Sequence, residues 1–320
     1  PKVLDELFSD WRDSDIPLNT KVTHDEIYLL SSESKSKLMS NSLVPKTMHN
    51  EGNYIISVGN LTRWLAEKAE GLGVEIFPGF AASEVLFNQD NSVKGILIGD
   101  MGVGANGEEK DSYMPGMELH AKYTVFSEGC RGHLGKELIA KYHLDNGKTP
   151  QHYGLGFKEI WTVPNEQHQL GKVVHTGGWP LTEGASGGGF MYHLENNQIA
   201  VGLIVDLNYK NPHLSPFDEF QRYKQHPVIS QTLTGGERLT YGARAIAKGG
   251  LNSLPKMSFP GGLLIGCDAG TLNFAKIKGT HTAMKSGIVA ARTLGEALMA
   301  GVEAGKDLDC FQSRIEQSWL

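Results

Sequence analysis

Leu263-Leu-Ile-Gly-Cys-Asp-Ala-Gly270 and, five residues on, Lys276-Ile-Lys-Gly-Thr-His-Thr-Ala-Met-Lys-Ser-Gly287 decide the fold. The first string reads as a short buried strand ending in Gly-Cys-Asp268. The second leads through a Gly-rich turn into a helix over 279–300, lined by Gly287, Ala290, Ala291 and Gly295 for close packing on a sheet. The first amides of such a helix, around Gly279, Thr280 and His281, have no partner within it. The same end carries a partial positive charge. A carboxylate at a strand end can accept hydrogen bonds from sugar or polyol hydroxyls. Together these features suit a flavin, with Asp268 on the ribitol chain and the helix start beside the N1/O2 edge of the reduced ring. The plainer alternative is a strand–turn–helix corner in which Asp268 caps a helix.

Working outward, Thr124-Val-Phe-Ser-Glu-Gly-Cys-Arg-Gly132 reads as a strand, a small-residue turn at Gly129 and a helix over 134–142. Such a turn can lie beside a cofactor's pyrophosphate, or be an ordinary strand-to-helix corner. Cys130 reads as a small buried thiol. Leu61, Trp64, Leu65, Ala69 and Leu72 recur at helical spacing, with Asn60 to cap and Gly73 to close. A strand is expected over 74–78, which makes half of a βαβ unit. Strands over 84–87 and 93–98 flank a turn at Asn88-Gln-Asp-Asn91, and one strand is expected over 119–126. The formal G-x-G-x-x-G, Gly102 to Gly107, is followed by Glu108-Glu-Lys-Asp-Ser and Pro115 rather than by a helix. It therefore reads as a hairpin loop, not a dinucleotide fingerprint.

Residues 150–250 change character. Strands over 154–163, 172–176, 190–194 and 199–207 alternate with turn residues, which predicts an antiparallel sheet inserted into an α/β layer. Gly184-Ala-Ser-Gly-Gly-Gly-Phe190 stands inside it. Three consecutive glycines are costly in backbone entropy, so either the loop needs unusual dihedrals or a flat ligand packs on bare backbone. Residues 1–50 read as irregular. Their Ser/Lys-rich stretch, 31–42, ends among Leu38, Met39, Leu43, Val44 and Met48, either a loop packing back on the core or one touching a membrane.

Composition narrows the function. Thirty Lys and Arg against 36 Asp and Glu give a net charge of −6, which argues against nucleic-acid binding. Cysteines at 130, 267 and 310 are too far apart for a disulfide scaffold or a self-contained iron–sulfur site. The 12 histidines form no H-x-H or H-E-x-x-H, so no metal site is expected within the chain. No G-x-S-x-G supports a hydrolase. No run approaches the ~20 apolar residues of a membrane span. The opening Pro1-Lys-Val-Leu reads as mid-domain sequence, part of a longer protein.

The Lys276–Gly287 string resembles the electron-transfer-flavoprotein:ubiquinone oxidoreductases. So do Tyr241-Gly-Ala-Arg-Ala245, Pro260-Gly-Gly-Leu-Leu-Ile-Gly-Cys267, Leu119-His-Ala-Lys122, Gly178-Trp-Pro-Leu181 and Leu214-Ser-Pro-Phe-Asp-Glu-Phe-Gln-Arg222. The resemblance runs from Pro17-Leu-Asn-Thr20 to about Ala300, and looks bacterial around Gly99-Asp-Met-Gly-Val-Gly104. It implies an enzyme with one FAD and one 4Fe–4S cluster, peripheral on a bacterial cytoplasmic or mitochondrial inner membrane. Its partners would be reduced electron-transfer flavoprotein and ubiquinone. Asp268 then matches the ribitol-binding position, and Gly279, Thr280, His281 and Thr282 match the helix start under the ring. Gly129 matches the turn near the cofactor, and Gly187 and Gly188 the pair whose backbone meets the quinone head. No side chain is expected to dominate catalysis, because the flavin carries the redox chemistry.

The implied fold is a glutathione-reductase/hydroxylase-like FAD domain, incomplete here, with an inserted antiparallel quinone-binding sheet. Residues 1–50 would be an irregular part of the FAD/quinone region, 51–148 and 251–320 parts of the FAD domain, and 149–250 the quinone domain. The pyrophosphate-binding G-x-G-x-x-G and the four cluster cysteines would lie outside the chain. Ser186 and Gly189 depart from the Tyr and Ser usual around the Gly-Gly pair, Thr271 from an apolar or aromatic residue, and Ala275 from a Pro or small polar one. A flavin monooxygenase or a prenyl reductase would share the layout. A fragment of this kind that held no cofactor would be a binding module only.

Overall fold

The computed structural model describes residues 1–182 and 184–320. They form two compact units. One comprises Pro1–Ala69, His152–Lys248 and Ala275–Ile277, and the other comprises Glu70–Gln151, Gly249–Phe274 and Lys278–Leu320.

The first unit is built on a seven-stranded sheet. Its order is Glu237–Ala247, Tyr153–Thr162, Gln198–Asp206, Gly187–His193, Lys172–Gly178, His24–Leu30, Ser36–Leu38. Alternation along the strands sends Ile199, Val201, Leu203 and Val205 to one face. There they are buried with Val174, Met191, Phe220, Tyr223, Ile229 and Leu233. The last four come from two helices, Pro216–Gln225 and Pro227–Leu233. Each helix starts on a Pro that needs no donor, and Ser215 and His226 accept from the amides of Asp218 and Val228.

Two expectations need correction here. The sheet is not wholly antiparallel, because His24–Leu30 runs parallel to Lys172–Gly178, with Glu26 opposite Val174. By the same token, residues 1–50 are not irregular. The strand was hidden because His24-Asp-Glu at its start carries none of the apolar alternation that marks a half-buried strand. The edge strand Glu237–Ala247 was not expected either. Eight of its first residues are exposed in succession, so burial never imposes a period of two.

The second unit carries the strand read from Leu263. Gly262–Leu264 lies parallel to Thr124–Phe126, Val125 opposite Leu263, and antiparallel to Ser258–Phe259. Leu263 and Leu264 are both wholly buried, with Leu134 and Leu138 of helix His133–Lys141 and Val289 and Ala290 of helix Thr280–Met299 in the same cluster. Burial on both faces explains why the strand is a continuous apolar run rather than an alternating one. Ala82–Phe87, Val93–Ile98 and Glu118–His120 make a separate antiparallel sheet. Gly102 to Gly107 belongs to the hairpin formed by Met101–Val103 and Glu109–Met114, as its composition implied. Residues 119–126 are two strands, interrupted at 121–123, that belong to different sheets. Residues 74–77 form no strand: Val74, Ile76 and Phe77 are exposed and pair with nothing regular.

Candidate functional site

In the second unit the strands Thr124–Phe126 and Gly262–Leu264 end side by side, so the turns that follow them meet. That is where open α/β sheets place ligands. Gly129 takes φ +94° in the first turn, a conformation L side chains avoid. One residue earlier, the Glu128 carboxylate accepts from the amides of Gly135 at 2.7 Å and Leu134 at 3.5 Å. It thereby caps the start of His133–Lys141, and His133 Nδ1 approaches its other side at 3.2 Å. Charge and geometry agree, since a carboxylate is stabilised at a helix N-terminus.

Asp268 is the third residue of the short helix Gly266–Ala269 rather than part of an extended strand. Its Oδ2 accepts from the backbone N–H of Glu128 at 3.3 Å. A Cβ on Gly132 or Gly135 would run into its carboxylate, so bare backbone lets it approach the helix. Burial pushes its pKa up, the Glu128 N–H pulls back, and the neighbouring Glu128 charge adds to the rise, leaving it at about 6. One long hydrogen bond leaves most of its acceptor capacity free.

On the other side, Gly266 N–H donates to Ser286 Oγ at 2.9 Å and the Gly266 backbone packs on Ala283. The Gly266–Ala269 turn is thereby fixed against the first turns of Thr280–Met299. Gly279 caps that 20-residue helix with no side-chain bond. A glycine at this position supplies no side-chain acceptor to the opening turn of the helix. Thr282 is buried and turns its hydroxyl back to Gly279 O at 2.7 Å. His281 stacks on Trp319, centroids 5.9 Å apart. Thr271 Oγ1 is buried without a hydrogen-bond partner. Gly129, Asp268, Gly279, Thr280, His281 and Thr282 thus belong to one unit, around the carboxyl ends of two adjacent strands.

The pair Gly187 and Gly188 lies in the first unit, between Lys172–Gly178 and Gln198–Asp206. The two glycines face opposite ways. Gly187, at φ +152°, has no room for a Cβ beside the carbonyl of Ile204 and Leu181. Gly189, on the same side, leaves space that the Tyr223 ring fills. Gly188 faces the other side, where a Cβ would meet only the Thr176 carbonyl, at 2.9 Å. Phe190 and Tyr192 follow on the Gly188 face, stacked at 4.8 Å, and Tyr192 Oη lies 2.8 Å from His175 Nε2. Ser186 has its own task, donating to Asp206 at 2.6 Å.

Sequence reasoning missed Glu128, Gly132 and Gly135, although Glu-Gly-x-x-Gly just past a strand is a readable capping signal. It named Thr271 only as a departure from the family pattern, and it missed the His175–Tyr192 pair, which only the sheet register brings together. Among the described residues no group of three or more His, Cys, Asp or Glu can hold a metal ion. No described helix is long and apolar enough to cross a membrane.

Residues 153–246 match the family described as ETF-QO, ubiquinone-binding. The chain is 63% identical over 321 residues to the electron transfer flavoprotein-ubiquinone oxidoreductase of Pseudomonas aeruginosa, covering 100% of this chain and 58% of that protein. It is 48% identical over 326 residues to the mitochondrial protein of that name from Homo sapiens, covering 100% of this chain and 52% of that one. The chain thus spans just over half the length of these relatives. Among solved structures, a geranylgeranyl bacteriochlorophyll reductase-like protein from Thermoplasma acidophilum aligns with a TM-score of 0.72 at 14% identity, over 99% of this chain and 72% of that one. A flavin-dependent brominase aligns at 0.63 and 14% identity, over 98% and 71%. At such identities the likeness is one of fold.

Proposed function

Because the chain belongs to the electron transfer flavoprotein-ubiquinone oxidoreductase family, we propose that it is the flavin- and quinone-binding portion of an enzyme that passes electrons from reduced electron-transfer flavoprotein to ubiquinone. The observation that carries this reading is the span of the ubiquinone-binding match. It begins at Tyr153, the first residue of one sheet strand, and ends within another, Glu237–Ala247. It therefore takes in the Gly187–His193 strand and the bare backbone of Gly188.

Asp268, Gly129, Gly279, Thr280, His281 and Thr282 are proposed to hold FAD. Three observations fit that group: a half-buried carboxylate with spare acceptor capacity, a helix start whose Gly279 cap has no side chain in the way, and an orphaned Thr271 hydroxyl. When bound, FAD would supply the redox chemistry, taking electrons from the partner flavoprotein and giving them to the quinone. Asp268 would accept from ribitol hydroxyls. The amides at Thr280 to Thr282 would favour negative charge developing beside them. Gly188 would let a flat quinone head lie on backbone. The 4Fe–4S cluster is assigned to the further length that the relatives have and this chain does not.

Association with a membrane surface, bacterial or mitochondrial, is part of the same proposal. Leu38 and Leu43, 53% and 68% exposed, support it as apolar groups offered to solvent within one short stretch.

The test is Gly188→Leu in the full-length enzyme, which should lower quinone reduction at least tenfold while bound flavin is kept. Quinone turnover equal to wild type would remove Gly188 from the quinone site.

A further inference from the structure

The helix-covered face of the seven-stranded sheet should be a sealed apolar core, and over most of its width it is. At one end it is not. A cavity of about 350 Å³ opens there, lined on the sheet side by Glu26, Tyr28, Ser36, Lys172, Val174 and Met191. Pro227, Val228, Gln231 and Thr232 of the helix Pro227–Leu233 close the other side.

Its polar groups are arranged with a bias. Lys172 Nζ pairs with Glu26 Oε1 at 3.1 Å, and Tyr28 Oη donates to Glu26 Oε2 at 3.1 Å. Both carboxylate oxygens, the strongest acceptors present, are therefore engaged, and the ion pair leaves the lining with no net charge. What remains at the ion pair is donor capacity. An ammonium has three protons, of which one faces Glu26. Ser36, Thr232 and the Gln231 amide can each donate or accept. Val174 and Met191 supply an apolar floor. A full anion would meet the Glu26 charge, and a cation would compete with Lys172. A neutral molecule with carbonyl or ether oxygens on an apolar body meets neither obstacle.

The volume lies at the lower end of the range for small-molecule sites, about 300–1,000 Å³. That suits a single substituted ring. We propose that this cavity is a second ligand site, for a neutral, oxygen-rich ring compound of the quinone class. It is separate from the backbone of Gly188. Met191 and Gly188 lie three residues apart on one strand, so they point to opposite faces of the sheet.

Equilibrium dialysis of the tailless quinone 2,3-dimethoxy-5-methyl-1,4-benzoquinone against the full-length enzyme counts the sites. Two equivalents are expected. Gln231→Trp, changed at an exposed position on the helix wall, should fill the cavity and remove one equivalent while quinone reduction continues. Lys172→Met should weaken that same equivalent roughly ten- to a hundredfold, the value of a charge-assisted hydrogen bond. Thermal melts of both variants show whether the fold is kept, and Thr232→Trp repeats the test from the next helix position. Gly188→Leu should remove only the other equivalent. If it removes none, the proposed quinone-reduction site fails and the cavity stands. A single equivalent in wild type would overturn the cavity site, and so would retention of both in the two Trp variants. Displacement by octanoate as effective as binding of the quinone would overturn its neutral character.

Discussion

Asp268 is held above the ordinary carboxylate range by burial and by the Glu128 charge, at about 6. Two consequences follow from that value. Ribitol hydroxyls that bond to the ionised form lower its pKa, so FAD affinity should be full above pH 6 and weaken as pH falls below it. Asp268→Ala in the full-length enzyme should weaken FAD retention roughly ten- to a hundredfold, with the fold kept. Flavin absorbance after dialysis at pH 7.5 and 5.5 checks both points, and full flavin content in the variant would end the assignment. In the flavin-free protein the sign reverses. The folded state binds the proton more tightly than the unfolded one, so this group's contribution is present below about 4 and lost as pH rises through 6. His193 behaves in the opposite sense. It accepts from the amide of Gln169 at 3.0 Å, so its proton sits on Nε2, which is buried without a partner. Burial, then His168 and Lys172, push its pKa down to about 4. Its neutral form supports the fold above about 6.5, and that support is lost as pH falls toward 4. Melting temperatures should therefore fall less between pH 6.5 and 4.5 in His193→Gln than in wild type.

At the scale of elements, the strands and helices that sequence reasoning found are those whose burial is one-sided or complete. Gly262–Leu264 and Thr280–Met299 were legible because the strand is buried throughout and the helix buries one continuous face. Glu237–Ala247 and His24–Leu30 were not, because their neighbours, not their own patterns, make them strands. The same limit applied to the sites: Asp268 could be named from its strand, but its hydrogen bond from the Glu128 amide depends on a parallel pairing across 140 residues. One packing detail is directly testable. Gly189→Ala should cost ~1–3 kcal/mol, because the new methyl overlaps the buried Tyr223 ring. A second concerns Glu159, whose side chain is 3% exposed on the core side of its strand. It accepts from Lys224 at 2.8 Å, Trp161 Nε1 at 2.8 Å and Arg238 at 3.4 Å. Lys224→Met leaves that charge under-compensated and should cost about 3 kcal/mol. Adding Glu159→Met should restore most of the loss. Urea denaturation of the two single variants and the double one measures the coupling, and additivity of the single effects would show that the pair is not a unit.

At the scale of the whole molecule, the proposed membrane contact rests on leucines that the fold leaves uncovered. Each fully inserted leucine contributes roughly 1.5–3 kcal/mol. Leu38→Lys with Leu43→Lys in the full-length enzyme should therefore reduce co-sedimentation with phosphatidylcholine vesicles at least tenfold. Turnover with water-soluble short-chain quinone should be unaffected. Vesicle binding equal to wild type would place the contact elsewhere.

The parallel pairing of His24–Leu30 with Lys172–Gly178 also bears on how the protein comes into being. From His24 to Lys172 the ribosome adds 172 − 24 = 148 residues. At ~5–20 residues per second that takes on the order of ten seconds. Throughout that interval the earlier strand has no Lys172–Gly178 to join and Leu30 has no core to enter. A nascent chain arrested before residue 172 should be cut by protease between 24 and 38, and one arrested after residue 248 should resist. The sheet is thus completed only after residue 247 has been made, and its first strand waits unpaired with Lys172–Gly178 for most of that time.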